Sequence, residues 1–160
     1  MSLQDQISNR DTDGALHQLL RSAVTLQAED LIRTIGALAK DQRDVRSWSG
    51  HVERDVRDLA LLASCAVSVG ARLPAGMDDG GGDPDDPSSV IEGLLASHEA
   101  LVRVLRELAG NAADPRVHRI VTDVLTRREE ESTMLRALGA GVGLPAEQRL
   151  VHGNLPKYQR

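Results

Sequence analysis

Apolar residues return at three- and four-residue steps along four separate stretches of this chain, each bounded by helix start or stop signals. That periodicity constrains the fold more than any other feature, because it gives each stretch one apolar face and leaves the remainder polar. The first stretch, about residues 13–44, follows Asp11-Thr12-Asp13, whose side-chain oxygens suit an N-cap. Its stripe is Leu16, Leu19, Leu20, Ala23, Val24, Leu31, Ile35 and Leu38. The second, about 48–70, carries Val52, Val56, Leu59, Leu62, Ala63, Ala66 and Val69, and ends at Gly70 with Pro74 beyond. Cys65 falls inside this apolar run and reads as a small buried hydrophobe. The third, about 89–109, opens with Ser89-Val90-Ile91-Glu92, a capping box, and stops at Gly110. Its stripe is Ile91, Leu94, Leu95, Leu101, Val102, Leu105 and Leu108. The fourth, about 115–138, begins at Asp114-Pro115, a capping residue followed by proline at the first helical position. It carries Val117, Ile120, Val121, Val124, Leu125, Met134, Leu135 and Leu138 before Gly139.

Four amphipathic helices in 160 residues predict a single all-α domain, a four-helix bundle over residues 13–139, with an N-terminal arm (1–12) and a C-terminal tail (140–160). The near-absence of aromatics supports this. There is no Phe, and only Trp48 and Tyr158, so neither a pleated sheet rich in aromatics nor a base-stacking platform fits. The formal net charge of -5 argues against general nucleic-acid affinity. A lone cysteine excludes an intramolecular disulfide and a cysteine-rich zinc site. With no long apolar run and no basic-then-apolar leader, the expectation is a cytoplasmic protein with no membrane partner.

Connector lengths bear on topology. The links near residues 45 and 111 are short, which predicts two antiparallel hairpins. The link from Ala71 to Pro87 is long enough to reach roughly 55 Å when extended, more than the roughly 30 Å of a 20-residue helix. It therefore has the length for one long crossover between helices 2 and 3, which would run parallel; a slack loop between adjacent ends is the alternative. Its text, Ala75-Gly76-Met77-Asp78-Asp79-Gly80-Gly81-Gly82-Asp83-Pro84-Asp85-Asp86-Pro87, fits a solvated connector and does not match the ligand spacing of a calcium loop.

Bundles hold metals with inward carboxylates and histidines, and the di-iron version needs Glu-x-x-His on two helices. No Glu in this chain has a His three residues on. The strongest metal candidate is instead His51, Asp55 and Asp58, which share one face of the second helix at four- and three-residue spacing; the alternative is an exposed charge pair near a helix start. His98 continues the apolar stripe of the third helix and reads as a core or interface histidine, while His17 and His118 flank their stripes. Three of the histidines brought together would suffice for one divalent ion. No phosphate loop or nucleophile elbow is present. Arg127 and Arg128, followed at once by Glu129, Glu130 and Glu131, read as a solvated mixed-charge face.

The order of elements, together with Ser89–Leu95, Asp114-Pro115, Thr133–Leu138 and Val69-Gly70-Ala71-Arg72-Leu73-Pro74, resembles the Dps-like mini-ferritins of the ferritin-like superfamily. The resemblance implies a ferritin-like bundle, a homo-oligomeric shell (a dodecamer), iron as the metal handled, and in some members DNA bound through basic tails. The departures are specific. The family's ligand pattern is a His on the first helix, then His-x-x-x-Asp and Asp-x-x-x-Glu on the second. Anchored on Gly70–Pro74, the acidic pair falls at Ala60 and Ser64 and the first-helix His near Arg33. Anchored on His51 and Asp55, it falls at Ala66 and Gly70. Alanine and glycine coordinate no iron, so the resemblance implies a shell for iron storage or stress protection whose usual ferroxidase centre is lost. Arg10 is offset by Asp5, Asp11 and Asp13, so DNA binding is expected to be weak or absent. Two other classes fit four helices: a DinB-like metal-dependent enzyme using the histidines, and a non-catalytic helical interaction module.

Overall fold

A computed structural model describes residues 3–40, 45–73 and 87–139. The acidic connector at 74–86, the tail at 140–160 with His152 and Tyr158, and the side chains of Trp48 and Ser89 lie outside the described residues. The chain is a bundle of four helices: α1 (Leu3–Lys40), α2 (Val45–Ser68), α3 (Pro87–Asn111) and α4 (Pro115–Gly139). Among the described residues there is no strand.

The predicted ends hold best where a backbone group is demonstrably capped. Asp114 Oδ1 accepts from the backbone N–H groups of Arg116 and Val117 at 2.7 and 3.2 Å, starting α4 behind Pro115. At the end of α2, Gly70 takes φ +78°, the Gly70 N–H donates to the Val67 carbonyl, and the Ala71 N–H donates to the Ala66 carbonyl. That is a Schellman closure, and the positive φ is why glycine stands there. The start of α1 differs from expectation. The helix begins at Leu3, so Asp11-Thr12-Asp13 lie inside it and residues 3–12 of the predicted arm are helical. A cap residue is only a preference of about 1 kcal/mol, and nothing from Leu3 to Asp13 is a proline or glycine that would stop the helix.

α1 packs against both α2 and α3, and α4 packs against α3 and, less extensively, α2. Each packed pair is antiparallel, as cross-contacts show. His17 meets Val69 while Gln27 meets Asp55 across α1 and α2. Asp30 meets His98 across α1 and α3, with Arg33 beside Gly93. Arg106 meets Glu129 and Glu99 meets Arg136 across α3 and α4. Arg54 meets Glu131 and Asp58 meets Arg127 across α2 and α4.

The core has two zones along the bundle axis. One is aliphatic: Leu20, Ala23, Leu62, Cys65, Ala66, Leu101, Leu105, Leu108, Val117, Val121 and Val124 form one buried cluster. The other is polar, and here two predicted stripes fail. On α1, Ile35 is 47% exposed while Gln27, Asp30 and Thr34 are buried. On α2, Val56 is 51% exposed while Asp55 and Asp58 are buried. Charged side chains take core positions there because each finds a partner inside, which offsets a desolvation cost that would otherwise keep them in water.

Candidate functional site

Four helices each send ionisable side chains into the polar zone: Asp30 from α1, His51, Asp55 and Asp58 from α2, His98 from α3, and Arg128 and Glu131 from α4. At its centre is Arg128, only 1% exposed. The sequence places it one helical step past Val117, Val121 and Val124, so the same face that carries the aliphatic stripe of α4 delivers a guanidinium into the core. The expectation of a solvated face over Arg127–Glu131 is therefore corrected. Only part of the run is at the surface, where Glu129 pairs with Arg106; Arg128 faces inward because buried carboxylates surround it.

Arg128 Nη1 is a hub for three helices. It lies 2.6 Å from Asp55 Oδ1, 2.9 Å from Glu131 Oε2 and 3.4 Å from Asp30 Oδ2. The Asp55 contact is close but poorly aligned for a hydrogen bond, so it acts as charge pairing. Nη2 donates to Asp58 Oδ2 at 3.1 Å. Asp58 Oδ1 in turn accepts from Arg127 Nη2 and Nε at 2.6 and 3.2 Å. One aspartate thus joins two arginines. Glu131 Oε1 accepts from Arg54 Nε at 2.8 Å, adding a third arginine to the cluster.

His98 is held by acceptors on both sides. Its Nε2 is 2.8 Å from the Arg128 carbonyl and its Nδ1 is 3.0 Å from Asp30 Oδ2. A carbonyl accepts only, so Nε2 carries a proton; an ionised Asp30 also accepts only, which puts a second proton on Nδ1 and a positive charge on the ring. Burial works against that charge, but the Asp30 hydrogen bond and its carboxylate outweigh it, so the His98 pKa is raised. At His51, Arg54 Nη2 lies 2.8 Å from Nδ1. The 3.5 Å approach of the same nitrogen to Glu131 is the weaker contact.

The carboxylates respond unequally. Burial raises Asp55, and attraction to Arg128 offsets this only partly. Burial acts upward on Glu131 as well, but His51, Arg128 and Arg54 together hold it well below the usual carboxylate range. For Arg128, burial opposes the charge and Glu131, Asp55, Asp30 and Asp58 overcome it, raising its pKa above the ordinary value.

The predicted metal candidates His51, Asp55 and Asp58 do converge on one buried cluster and are not an exposed charge pair. Both aspartates, however, are committed to arginine. Among the described residues no three His, Cys, Asp or Glu side chains are placed to hold a metal ion. Iron, which the family resemblance implies, does not fit this donor set as it stands, because Arg128 Nη1 sits where three carboxylates meet and like charges repel. The internal cavity beside it measures about 10 Å³, enough for one water molecule. Asp30 lines that cavity and its Oδ1 has no donor among the described residues, which gives such a water a partner.

The remaining candidates lie elsewhere. His17 Nε2 donates to the Val69 carbonyl and His118 Nδ1 to the Ala109 carbonyl, both at the opposite end of the bundle, so the histidines do not gather into one ligand set. Ala60 and Ser64 are exposed on α2, and Ala66 is in the aliphatic zone. Cys65 is buried as expected, with burial pushing its thiol pKa up. An open groove of about 870 Å³ runs along α1 beside Val104, but none of the buried ionic groups lines it. No helix among the described residues is long and apolar enough to cross a membrane. Compared with protein-family models, curated proteins and solved structures, the chain matches none.

Proposed function

We propose that the chain is a ferritin-like bundle, similar to the Dps-like mini-ferritins, that serves as the building block of a homo-oligomeric shell and has no working ferroxidase centre in its core. The single observation that carries the reading is the pairing pattern: α1 is antiparallel to both α2 and α3, and α4 to both as well. Two helices each antiparallel to α1 run parallel to one another, and that arrangement asks the long connector to cross the length of the bundle. One crossover between two hairpins is the ferritin-like plan. The arginine-centred cluster supports the second half of the reading, since its carboxylates already neutralise a cation of the chain itself.

Aliphatic side chains on the outside of α1 and α2, namely Ile32, Ile35, Val56 and Val67, fit packing against further subunits. Light scattering after size exclusion tests the shell: the account expects a mass near that of a dodecamer and slow Fe(II) oxidation. A monomer or dimer overturns the shell, and fast oxidation overturns the loss of the centre. A monomer would favour the non-catalytic interaction module, which the filled core also supports. The DinB-like enzyme reading is less well supported, because His17 and His118 are both committed to carbonyls far from His51 and His98.

A further inference from the structure

The polar zone resembles a coordination sphere in one respect that does not depend on whether the chain forms a shell. A single nitrogen, Arg128 Nη1, has carboxylate oxygens of Asp55, Glu131 and Asp30 at 2.6, 2.9 and 3.4 Å, each from a different helix. All three residues line one small cavity with His98 and Thr34. Asp30 and Asp55 are 1% and 2% exposed, and Asp30 Oδ1 has no donor among the described residues. Such a cage has no apolar solution. Three buried carboxylates need a cation between them, and the chain supplies one on a flexible stem.

We propose that the Asp30–Asp55–Glu131 cage is a cation-binding site whose resident cation is Arg128 Nη1, and that a free divalent cation takes this seat once the side chain is shortened. Hard cations bound by carboxylate oxygens, Mn²⁺ among them, suit such a donor set. Oxygens at 2.6 to 3.4 Å from nitrogen would need to draw in by about 0.4 to 1.2 Å to reach metal-ligand distances near 2.2 Å. His98 stays hydrogen-bonded to the backbone carbonyl at position 128, so it keeps Asp30 in place when the side chain is removed. In the native protein the tethered cation excludes metal from the core, and the fold is independent of metal.

The test compares wild type with Arg128→Ala and with Arg128→Ala combined with Asp55→Asn, by thermal melting and Mn²⁺ titration at neutral pH. Wild type should melt at the same temperature with Mn²⁺ or with chelator. Arg128→Ala should melt lower in chelator and recover with Mn²⁺, binding it at least about tenfold more tightly than wild type, and Asp55→Asn should abolish the recovery. Methylguanidinium, a free copy of the missing head group, should also raise the melting temperature of Arg128→Ala. If that variant is unfolded in chelator, refolding with Mn²⁺ decides, and refolding with methylguanidinium alone overturns the claim that a divalent cation takes the seat. No binding and no recovery with either ion overturns it, as does wild type binding Mn²⁺ as tightly as the variant.

Discussion

At the end of the bundle where α2 and α3 finish, the four inward faces meet through Leu20, Leu62, Leu101, Leu105, Leu108, Val117, Val121 and Val124. Toward the other end the same four faces carry Gln27, Asp30, Asp55, Asp58, His98 and Arg128, all equally buried. Backbone geometry and pairing are shared, so the difference lies in what holds each zone. Aliphatic packing is non-directional and roughly proportional to area, so any one contact there is replaceable. The ionic zone is directional and shared: Arg128 lies among four carboxylates, of which Asp58 is also held by Arg127, Glu131 by Arg54 and Asp30 by His98. A bundle that needed only stability would be filled with leucine throughout, since apolar residues of equal volume often match or better a buried ion network.

The largest expected effect comes from Arg128→Met, which keeps the volume and removes the charge. It should cost about 3–5 kcal/mol in urea unfolding at neutral pH, because Asp55 is left buried without its cation and Asp30, Asp58 and Glu131 each lose one partner. Leu105→Ala, its counterpart in the aliphatic zone, should cost about 2–5 kcal/mol through a cavity. Acid separates the two: lowering the pH should restore part of the Arg128→Met loss as carboxylates take up protons, and should leave the Leu105→Ala loss unchanged. Equal pH responses would break the comparison.

A smaller effect should appear in the pH profile of the wild type. The raised pKa of His98 means that its contribution is full below the unfolded value of 6.5 and is lost as pH rises through the higher folded value. Glu131 has the opposite sign. Its depressed pKa gives stability present above 4.5 and lost as pH falls through the folded value. Urea midpoints should therefore decline on both limbs, and His98→Gln should flatten the alkaline one; a wild-type alkaline limb that is already flat would contradict the doubly bonded imidazolium. The smallest effect belongs to the surface. Arg136→Ala, which removes an exposed pair with Glu99, should cost no more than about 1 kcal/mol in the same assay.

These zones were unequally legible in the amino-acid order. Where the aliphatic stripe dominates, periodicity placed α3 and α4, and Asp114, Pro115 and Gly70 marked ends that the backbone then honoured. In the polar zone, counting apolar residues pointed to the wrong face of α2, toward Val56, because the buried positions at Asp55 and Asp58 look like surface positions. The spacing of His51, Asp55 and Asp58 did reveal that something polar was built there. Its partner was hidden. Arg128 stands among four other charges of both signs, and the only local sign of burial is that stepping on by four from Val124 reaches it. Pairing with Asp58, 70 residues away in sequence, comes from the fold and leaves no short-range pattern.

The central claim is that Arg128 is a buried cation held among carboxylates, and side-chain NMR of the arginine guanidinium groups tests it most directly. Exposed guanidinium groups such as those of Arg103 and Arg119 should give averaged signals that exchange quickly with water. Arg128 should give separate Nη proton signals, protected from exchange and shifted by Asp55, Asp58 and Glu131. If its signals average and exchange as fast as those of Arg103, the guanidinium is in solvent and the ionic core described above does not exist.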